Sequence, residues 1–233
     1  MGEDAMKLLI LSDIHSNMDS LEAIMEQEPD SDEIYCAGDL VDVGFRPQDV
    51  VHWARSRNVV CVQGNHDRLV VETYRSGLHL QDVPPAELTW PILNARWLDE
   101  ASIVYLESLP ERVDFEIDGA AYSMQHMYNG YETIVCYSEF KSYWSRQTGE
   151  KYRDNPRKRL IFGHTHRQSV TYLDNECLWL NPGSVGYNRP DDPSNETHYM
   201  TIMDGRIEMK RLPHKNNMSR DELRRRFAEL YRK

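Results

Sequence analysis

The stretch from Val59 to Asp67, which reads VVCVQGNHD, decides the fold prediction. It opens with four apolar residues typical of a buried strand, and Gly64 then precedes the polar side chains Asn65, His66 and Asp67. In open α/β sheets, the loops that leave the carboxyl ends of strands form the ligand crevice. Gly64 allows a sharp turn and a close approach of the backbone. By itself this sequence fits an ordinary polar turn equally well, so the rest of the chain must decide.

Two similar units precede this stretch. Apolar strands are predicted at 7–11 and 33–37, each ending in polar residues. A helix of about ten residues follows the first strand, and a helix over 48–57 follows the second. Three strand–loop–helix units within 65 residues predict a parallel sheet with right-handed crossovers.

The remaining chain predicts more strands around one further helix. The segment 68–110 is expected to be a helical insertion near the site, with its clearest helix over 98–109. Asp118-Gly119 signals a hairpin. The other predicted elements are a helix within 131–150, strands near 160–162, 168–173 and 176–180, a hairpin over 198–203 and 206–211, and a charged C-terminal helix within 213–233. No linker or repeat divides the chain, so a single domain over 1–233 is expected.

Composition excludes several classes of protein. The formal net charge of −11 disfavours a long nucleic acid as partner. No apolar run approaches the ~20 residues needed to cross a membrane, and the short acidic N-terminus does not resemble a signal peptide. The four cysteines contain no Cys-x-x-Cys pair and are expected to be reduced, buried thiols. A cytoplasmic protein is predicted, and its oligomeric state is left open.

Metal-capable side chains follow five of the predicted strands. They are Asp13, His15, Asp39, Asn65, His66, His126, His164 and His166. In an extended loop, residues two apart point the same way, so Asp13-x-His15 and His164-x-His166 would each present a pair. This donor set suits Mn, Fe or Zn better than Ca. It is too large for one ion, and Asp39 is the candidate carboxylate bridging two divalent cations.

Each of these residues also has an ordinary structural interpretation. Asp13 could cap the following helix, Asp39 could lie in a turn, and His126 could be a surface histidine at the end of a hairpin. Gly163-His164-Thr165-His166 is the stronger signal by itself. Because all of these residues follow strands in a chain with only nine histidines, a shared metal site is the favoured interpretation.

These blocks together resemble the calcineurin-like metallophosphoesterases, over residues 7 to about 211. The resemblance rests on Asp13-x-His15, Gly38-Asp39, Gly64-Asn65-His66-Asp67, the single His126 and Gly163-His164-x-His166, in that order. It implies a four-layer α/β/β/α sandwich in which two mixed sheets are flanked by helices, with a dinuclear metal centre at one edge. It further implies that Asp13, His15 and His166 hold one metal, that Asn65, His126 and His164 hold the other, and that Asp39 bridges them. His66 would be the second-sphere acid, oriented by Asp67.

Departures from the family pattern narrow the branch. Asp42-Val43-Gly44 and Asp67 differ from the protein Ser/Thr phosphatases, and Met127 replaces a glycine that commonly follows the lone histidine. The compact chain and Asn181-Pro182-Gly183-Ser184-Val185-Gly186 look like the small prokaryotic phosphodiesterase branch. The expected activity is hydrolysis of a small nucleotide-type phosphodiester or dinucleoside polyphosphate. Manganese is the favoured metal, with Fe, Zn, Ni or Mg as alternatives.

Substrate contacts and rival functions stay open at this point. Arg46 and Arg189 could bind phosphate, although solvated surface arginines are an equal alternative. The aromatic residues at 137–144 could stack a base, but core packing is favoured. A phosphomonoesterase with the same centre and a non-catalytic scaffold of this fold are the alternative functions. A nuclease is disfavoured by the net charge.

Overall fold

The computed structural model describes residues 6–84, 87–192, 194, 196–213 and 225. Strands and helices alternate through its first part, and strands dominate the last. In chain order the elements are β1 (Leu8–Leu11), α1 (Met18–Gln27), β2 (Glu33–Cys36), α2 (Pro47–Ser56), β3 (Val60–Cys61), α3 (Asn65–Arg75), a 3-10 turn (Leu78–Leu80), α4 (Trp90–Trp97), α5 (Glu100–Ser108), β4 (Arg112–Ile117), β5 (Ala120–Gln125), α6 (Tyr137–Thr148), β6 (Lys158–Ile161), β7 (Ser169–Tyr172), β8 (Cys177–Asn181), β9 (Glu196–Met203) and β10 (Arg206–Pro213).

The strands form two mixed sheets of five. The first has the order β10-β9-β1-β2-β3 and the second the order β4-β5-β6-β8-β7. In the first sheet β1, β2 and β3 are parallel, with Leu11 opposite Cys36 and Cys36 opposite Cys61. In the second, β5, β6 and β8 are parallel. The carboxyl ends of each parallel set therefore open at one edge of their sheet, where ligand sites form.

Side-chain alternation along β1 divides the core into layers. Leu9 and Leu11 belong to a cluster with residues of α1, α2, α3 and α5, whereas Leu8 and Ile10 belong to a cluster shared with the second sheet. All four side chains are at most 1% exposed. Successive residues of a strand face opposite sides, so a continuous apolar run is what a strand covered on both faces requires.

The outer face of the second sheet is covered by α6. Phe140, Tyr143 and Trp144 of this helix are buried in a third cluster with Phe162 and Trp179. Core packing was the favoured interpretation of these aromatic residues, and it is confirmed. The order of layers is helices, sheet, sheet, helix, which confirms the predicted four-layer α/β/β/α sandwich.

Most predicted elements agree with the structure to within a few residues, and two differences matter. α3 begins at Asn65, so the polar residues after β3 lie in the first turn of a helix and not in a loop. Cys136 is exposed, whereas the other three cysteines are buried as expected. The predicted C-terminal helix lies outside the described residues, apart from isolated positions. Among the described helices, none combines the length and apolar character of a membrane span.

Candidate metal centre

The predicted metal-capable residues lie together at the carboxyl ends of the parallel strands. Three groups of side chains each bring one donor atom per residue to within 4.8 Å of the others. Asp39 and His15 each belong to two groups, so the groups form one continuous site. The groups are Asp13, His15 and His166; His15, Asp39 and His66; and Asp39, His126 and His164.

The first group is tightly convergent. The Nε2 atoms of His15 and His166 lie 3.0 Å apart. Asp13 Oδ1 lies 3.3 Å from His166 Nε2 and 3.6 Å from His15 Nε2. Asp13 and His15 are at most 1% exposed, so these atoms enclose a small buried volume.

The last group includes the amide of Asn65. His126 Nε2 lies 2.9 Å from Asn65 Oδ1 and 3.2 Å from Asp39 Oδ2. The His164 ring stands edge-on to the His126 ring at 5.1 Å between centroids. All four side chains that the family resemblance assigns to the second metal, counting Asp39 as the bridge, therefore meet at one place.

The sequence predicted that the loops carrying these residues are extended, and this prediction is wrong. Asp13, His15, Asp39, His164 and His166 all have left-handed backbone conformations, with φ between 51° and 61°. Such a conformation costs about 1–3 kcal/mol for a residue other than glycine, although Asp, Asn and His adopt it more often than other types. The turns are held by backbone hydrogen bonds between loops.

These bonds link the strand-end loops to one another. Asp13 N–H donates to Gly38 O over 3.0 Å, and His15 N–H donates to Asp39 O over 3.0 Å. Gly64 supplies the close approach that the sequence predicted, since a Cβ there would collide with Asp39. The convergence of donor atoms thus depends on contacts between loops and not on alternation within each loop.

Two of the histidines are fixed by hydrogen bonds through Nδ1, and Nδ1 of a third faces a carboxylate without a hydrogen bond to any described residue. His126 Nδ1 lies 2.7 Å from Ala37 O, and His166 Nδ1 lies 3.0 Å from Tyr187 O. His15 Nδ1 lies 3.4 Å from Asp42 Oδ2. An Nδ1–H that donates to oxygen leaves the Nε2 lone pair free to bind a metal, which is the usual outer arrangement of metal-binding histidine.

Asp42 is the principal site residue that the sequence interpretation missed. Its buried Oδ2 lies 3.4 Å from His15 Nδ1 and 3.3 Å from His66 Nδ1, and it accepts a hydrogen bond of 2.9 Å from the Tyr187 hydroxyl. The Tyr187 ring also stacks on His15 at 4.6 Å. The signal in the sequence was a second carboxylate three residues after Asp39, which was interpreted only as a departure from another branch.

The predicted role of Asp67 requires correction. Its carboxylate does not orient His66, because it accepts hydrogen bonds from the backbone N–H groups of Asp39, Leu40, Val41 and Gly64 at 2.9–3.2 Å. Asp67 therefore fixes the loop that carries Asp39. Burial and the charge of Asp39 raise the pKa of Asp67 to about 6. Asp42 is the carboxylate that faces the His66 imidazole.

His66 lies at the edge of the centre, between Asp42 and the helical insertion. Its ring stacks on Trp90 of α4 at 4.8 Å between centroids. Nε2, the nitrogen remote from Asp42, lies 3.9 Å from Asp39 Oδ2. Asn94, one turn later in α4, donates to Asp42 O over 2.8 Å. The part of the 68–110 segment that forms α4 is therefore a wall of the site.

The electrostatic balance of the centre depends on imidazoles. Burial opposes ionisation of Asp13, but His166 and His15 outweigh it and hold the pKa of Asp13 well below its usual range. Burial lowers the pKa of His126, but Asp39 and Asp13 outweigh it and raise this pKa to about 10. Burial and the neighbouring His126 lower the pKa of His164 to about 4. The carboxylates thus stay ionised and attract positive charge into the site.

The two predicted substrate arginines differ in their surroundings. Arg46 lies at the start of α2 and pairs with Asp49 at 2.6 Å, Asp19 at 3.2 Å and Glu22 at 3.3 Å, so it joins α1 to α2. This geometry gives no support to its predicted contact with substrate. Arg189 lies against the loop between His164 and His166, with Nη1 3.4 Å from Thr165 O.

The donor atoms fit divalent cations. A cation with bonds of about 2.0–2.2 Å needs adjacent ligand atoms roughly 2.9–3.5 Å apart, and most of the distances given above fall in this range. Asp13 Oδ1 is buried and makes no hydrogen bond within the described chain, as expected of an oxygen that faces a cation. These side chains therefore fit the divalent cations that the predicted centre requires.

Comparison with known proteins identifies the family and the fold. The model of the calcineurin-like phosphoesterase superfamily domain matches residues 6–205. An uncharacterized protein of Methanocaldococcus jannaschii is 28% identical over 224 residues, covering 88% of this chain and 86% of that protein. A metallophosphoesterase from Sphaerobacter thermophilus shares the fold with a TM-score of 0.73 and 23% identity, over 98% of this chain and 99% of that one. A candidate diadenosine tetraphosphatase has a TM-score of 0.58 at 16% identity, covering 93% and 97%. The chain belongs to the calcineurin-like phosphoesterase superfamily, whose members depend on divalent metals.

Proposed function

We propose that this protein is a phosphodiesterase that uses two divalent cations, with manganese favoured, to hydrolyse small nucleotide-type phosphodiesters or dinucleoside polyphosphates. The observation that carries the proposal is the sharing of Asp39 between two groups of donor atoms, one with His15 and His66 and one with His126 and His164. A bridging carboxylate is what a dinuclear site needs, because two cations ~3.5–4 Å apart repel each other.

The residues divide into two cation sites in this proposal. Asp13, His15 and His166 hold the first cation, and Asn65, His126 and His164 hold the second, with Asp39 between them. Such a cation pair, when bound, neutralises phosphate oxygens and supplies a hydroxide from water near neutral pH. Nδ1 of His126 and of His166 bonds to a backbone carbonyl oxygen and Nδ1 of His15 faces Asp42, so that each Nε2 lone pair is directed at the site.

His66 acts as the general acid in this proposal. Its Nε2 faces Asp39, and its Nδ1 faces Asp42, so the proton to be transferred is on Nε2. Asp42 stabilises the imidazolium form of His66 before the reaction, and as the P–O bond of the ester breaks the Nε2 proton passes to the departing oxygen and leaves a neutral imidazole. Stacking on Trp90 limits rotation of the ring, which keeps Nε2 pointing at the site.

A small substrate is supported by charge and by Arg189. The formal net charge of −11 opposes a long polyphosphate track. Arg189 is one-third exposed beside the His164–His166 turn, with Asp191 as its partner at 3.0 Å. We propose that it binds a phosphate oxygen next to the centre.

The test compares bis-p-nitrophenyl phosphate with p-nitrophenyl phosphate on metal-stripped protein refilled with Mn, Ni, Mg or Zn. Preference for the diester, restored by Mn or Ni and absent in Asp39→Ala, is the expected result. Preference for the monoester would replace the proposal with a phosphomonoesterase. Failure to hydrolyse either ester while two ions bind would exclude this substrate class, and failure to bind metal would favour a scaffold.

A further inference from the structure

Exposed apolar side chains follow directly after His126. Met127 is 43% exposed, Tyr131 is 70% exposed and Val135 is 73% exposed. Large apolar side chains usually lose most of their exposure on folding, because burial of apolar surface is the main driving force. Several that remain exposed in one segment beside a site suggest that they meet a ligand or a partner.

Tyr131 connects this segment to the metal centre. Its ring stacks on the ring of His164 with centroids 4.5 Å apart and an interplanar angle of 27°. Since the side chain is still 70% exposed, His164 covers one face of the ring and the other is accessible. An aromatic platform thus stands beside a residue of the second donor group.

The loop that carries Tyr131 is anchored. Tyr128 and Tyr131 form a β-bridge. The Tyr128 hydroxyl donates to Glu139 over 2.7 Å, and its ring packs edge-on against Tyr143 at 5.0 Å. Platforms that are ordered before binding lose less entropy when a ligand binds, so Tyr131 is prepared for stacking.

Charge distinguishes the two sides of the His164–His166 turn. Between residues 127 and 140 the chain contains Glu132 and Glu139 but no lysine or arginine, so this segment itself offers no cation to a phosphate. Past the turn, Arg167 and Arg189 lie 2.7 and 3.0 Å from Asp191. A substrate with an uncharged aromatic part on one side and phosphate on the other matches this arrangement.

We propose that Tyr131 is the stacking platform for a nucleobase, or a ring of that kind, joined to the phosphate that is held at the metal centre. This rests on the proposed function, because the phosphate must occupy that centre. It makes Tyr131 a residue that determines specificity. The accessible face of the tyrosine receives the base.

The test is direct binding of two ligands that differ by the base alone. Adenosine 5′-monophosphate and ribose 5-phosphate are titrated by calorimetry into the manganese-loaded protein, with their integrity checked by chromatography. The quantity compared is the ratio of the affinities for the two ligands. If either ligand is hydrolysed, the ratio of the two kcat/KM values replaces it. The matched control is Tyr172→Ala, which removes an equally exposed tyrosine (73% exposed) on β7.

Base stacking on an aromatic side chain contributes about 5–150-fold to affinity. The wild type and Tyr172→Ala should therefore bind the nucleotide at least about fivefold more tightly than ribose 5-phosphate. Tyr131→Ala should lose this preference while its affinity for ribose 5-phosphate changes less than about twofold, and Tyr131→Phe should retain it.

Three results would overturn the inference. The first is a wild type without a base preference. The second is an equal loss of affinity for both ligands in Tyr131→Ala, which would mean that Tyr131 acts by supporting His164. The third is a Tyr131→Ala variant that changes only self-association in size-exclusion chromatography, which would make the segment an interface between copies. If neither p-nitrophenyl ester is hydrolysed but the base preference is observed, the proposed reaction is refuted and the stacking site is still supported.

Discussion

The two ends of β1 both bury carboxylates, but they neutralise them with different partners. At the amino end, Glu28 is 3% exposed. Its Oε2 lies 2.9 Å from Lys7 Nζ, and its Oε1 lies 2.8 Å from Lys210 Nζ and 2.9 Å from the Tyr199 hydroxyl. The cations are part of the chain, and the cluster joins α1 to β1, β9 and β10.

At the carboxyl end, the partners of the carboxylates are imidazoles. Among the described residues, the ion pairs of Asp13 and Asp39 are with His15, His66, His126 and His166. An imidazole can be neutral near pH 7, unlike lysine. A neutral imidazole offers a lone pair where an ammonium offers only protons.

This difference in partners is the reason for proposing the metal site at the carboxyl end of β1. The charge of a buried carboxylate such as Glu28 is already neutralised by lysines of the same chain, so this cluster contributes to stability. Carboxylates surrounded by histidines can exchange imidazole protons for a divalent cation, which then supplies the positive charge and binds the nitrogen lone pairs. The predictions below perturb one end or the other, from the largest expected effect to the smallest.

Replacement of His66 should give a large loss of turnover without loss of metal. His66→Ala removes the proposed acid, and general acid catalysis contributes about 10²–10⁴-fold, so kcat on the diester should fall by that factor. Bound manganese, measured by mass spectrometry, should remain at the wild-type level. The control is His52→Ala, on the exposed face of α2. Loss of manganese from His66→Ala would make it a ligand instead of the acid.

Replacement of Asp42 should have an intermediate effect. Asp42→Asn keeps the shape of the side chain but removes the charge facing His15 and His66 Nδ1, and loss of such outer partners costs about 10–100-fold in activity or metal affinity. In the His66→Ala background the same change should cost less than about threefold if Asp42 acts mainly through His66. An undiminished cost in that background would place its action on His15.

Perturbation of the amino end should lower stability and spare catalysis. Glu28→Gln removes the charge that faces two lysines, and a hydrogen bond to a charged group contributes about 1.5–3 kcal/mol. Urea unfolding should show a loss of about 2 kcal/mol, with kcat of the folded protein unchanged. Asp30→Asn is the matched control, since Asp30 also pairs with Lys7 at 2.5 Å but is 72% exposed and should contribute little. An equal loss in both variants would contradict the distinction.

The same cluster should give the stability a pH dependence. Burial raises the pKa of Glu28, but Lys210, Lys7 and Tyr199 outweigh it, so this pKa is lower in the folded state than in the unfolded state. Between the folded and the unfolded pKa of Glu28 the unfolded chain binds more protons, so the free energy of unfolding rises with pH there. The difference between wild type and Glu28→Gln should be full above about pH 5 and shrink as pH falls through the folded pKa. A difference that is constant to pH 3 would exclude ionisation as its source.

Local rules predicted a parallel sheet and the polar residues that follow its strands, whereas the four layers were implied by the resemblance to a known family. Strand-end polar residues after apolar runs identified Asp13, Asp39 and His126 without any tertiary information. The sequence could not reveal the functions of Asp42 and Asp67, because these functions depend on which loops pack against each other. Asp67 bonds to a loop 26 to 28 residues earlier in the chain, and the Tyr187 hydroxyl reaches Asp42 from 145 residues away.

The helical insertion shows the same limit. Helical spacing predicted that segment 68–110 is helical, but not that Trp90 of α4 would stack on His66. Extended loops were the wrong expectation for Asp13-x-His15 and His164-x-His166. Left-handed turns are stabilised there by hydrogen bonds between loops, which no pattern within one loop reveals.

The most direct test of the account counts metal ions in the wild type and in Asp39→Asn. The variant keeps an oxygen that can accept the hydrogen bond of 2.9 Å from His66 N–H but loses the charge that two cations would share. After chelation, refilling with manganese and desalting, mass spectrometry should find two ions per wild-type chain and fewer than one per variant chain. Two ions in Asp39→Asn, or none in the wild type, would contradict the claim that this end of β1 is completed by a cation pair.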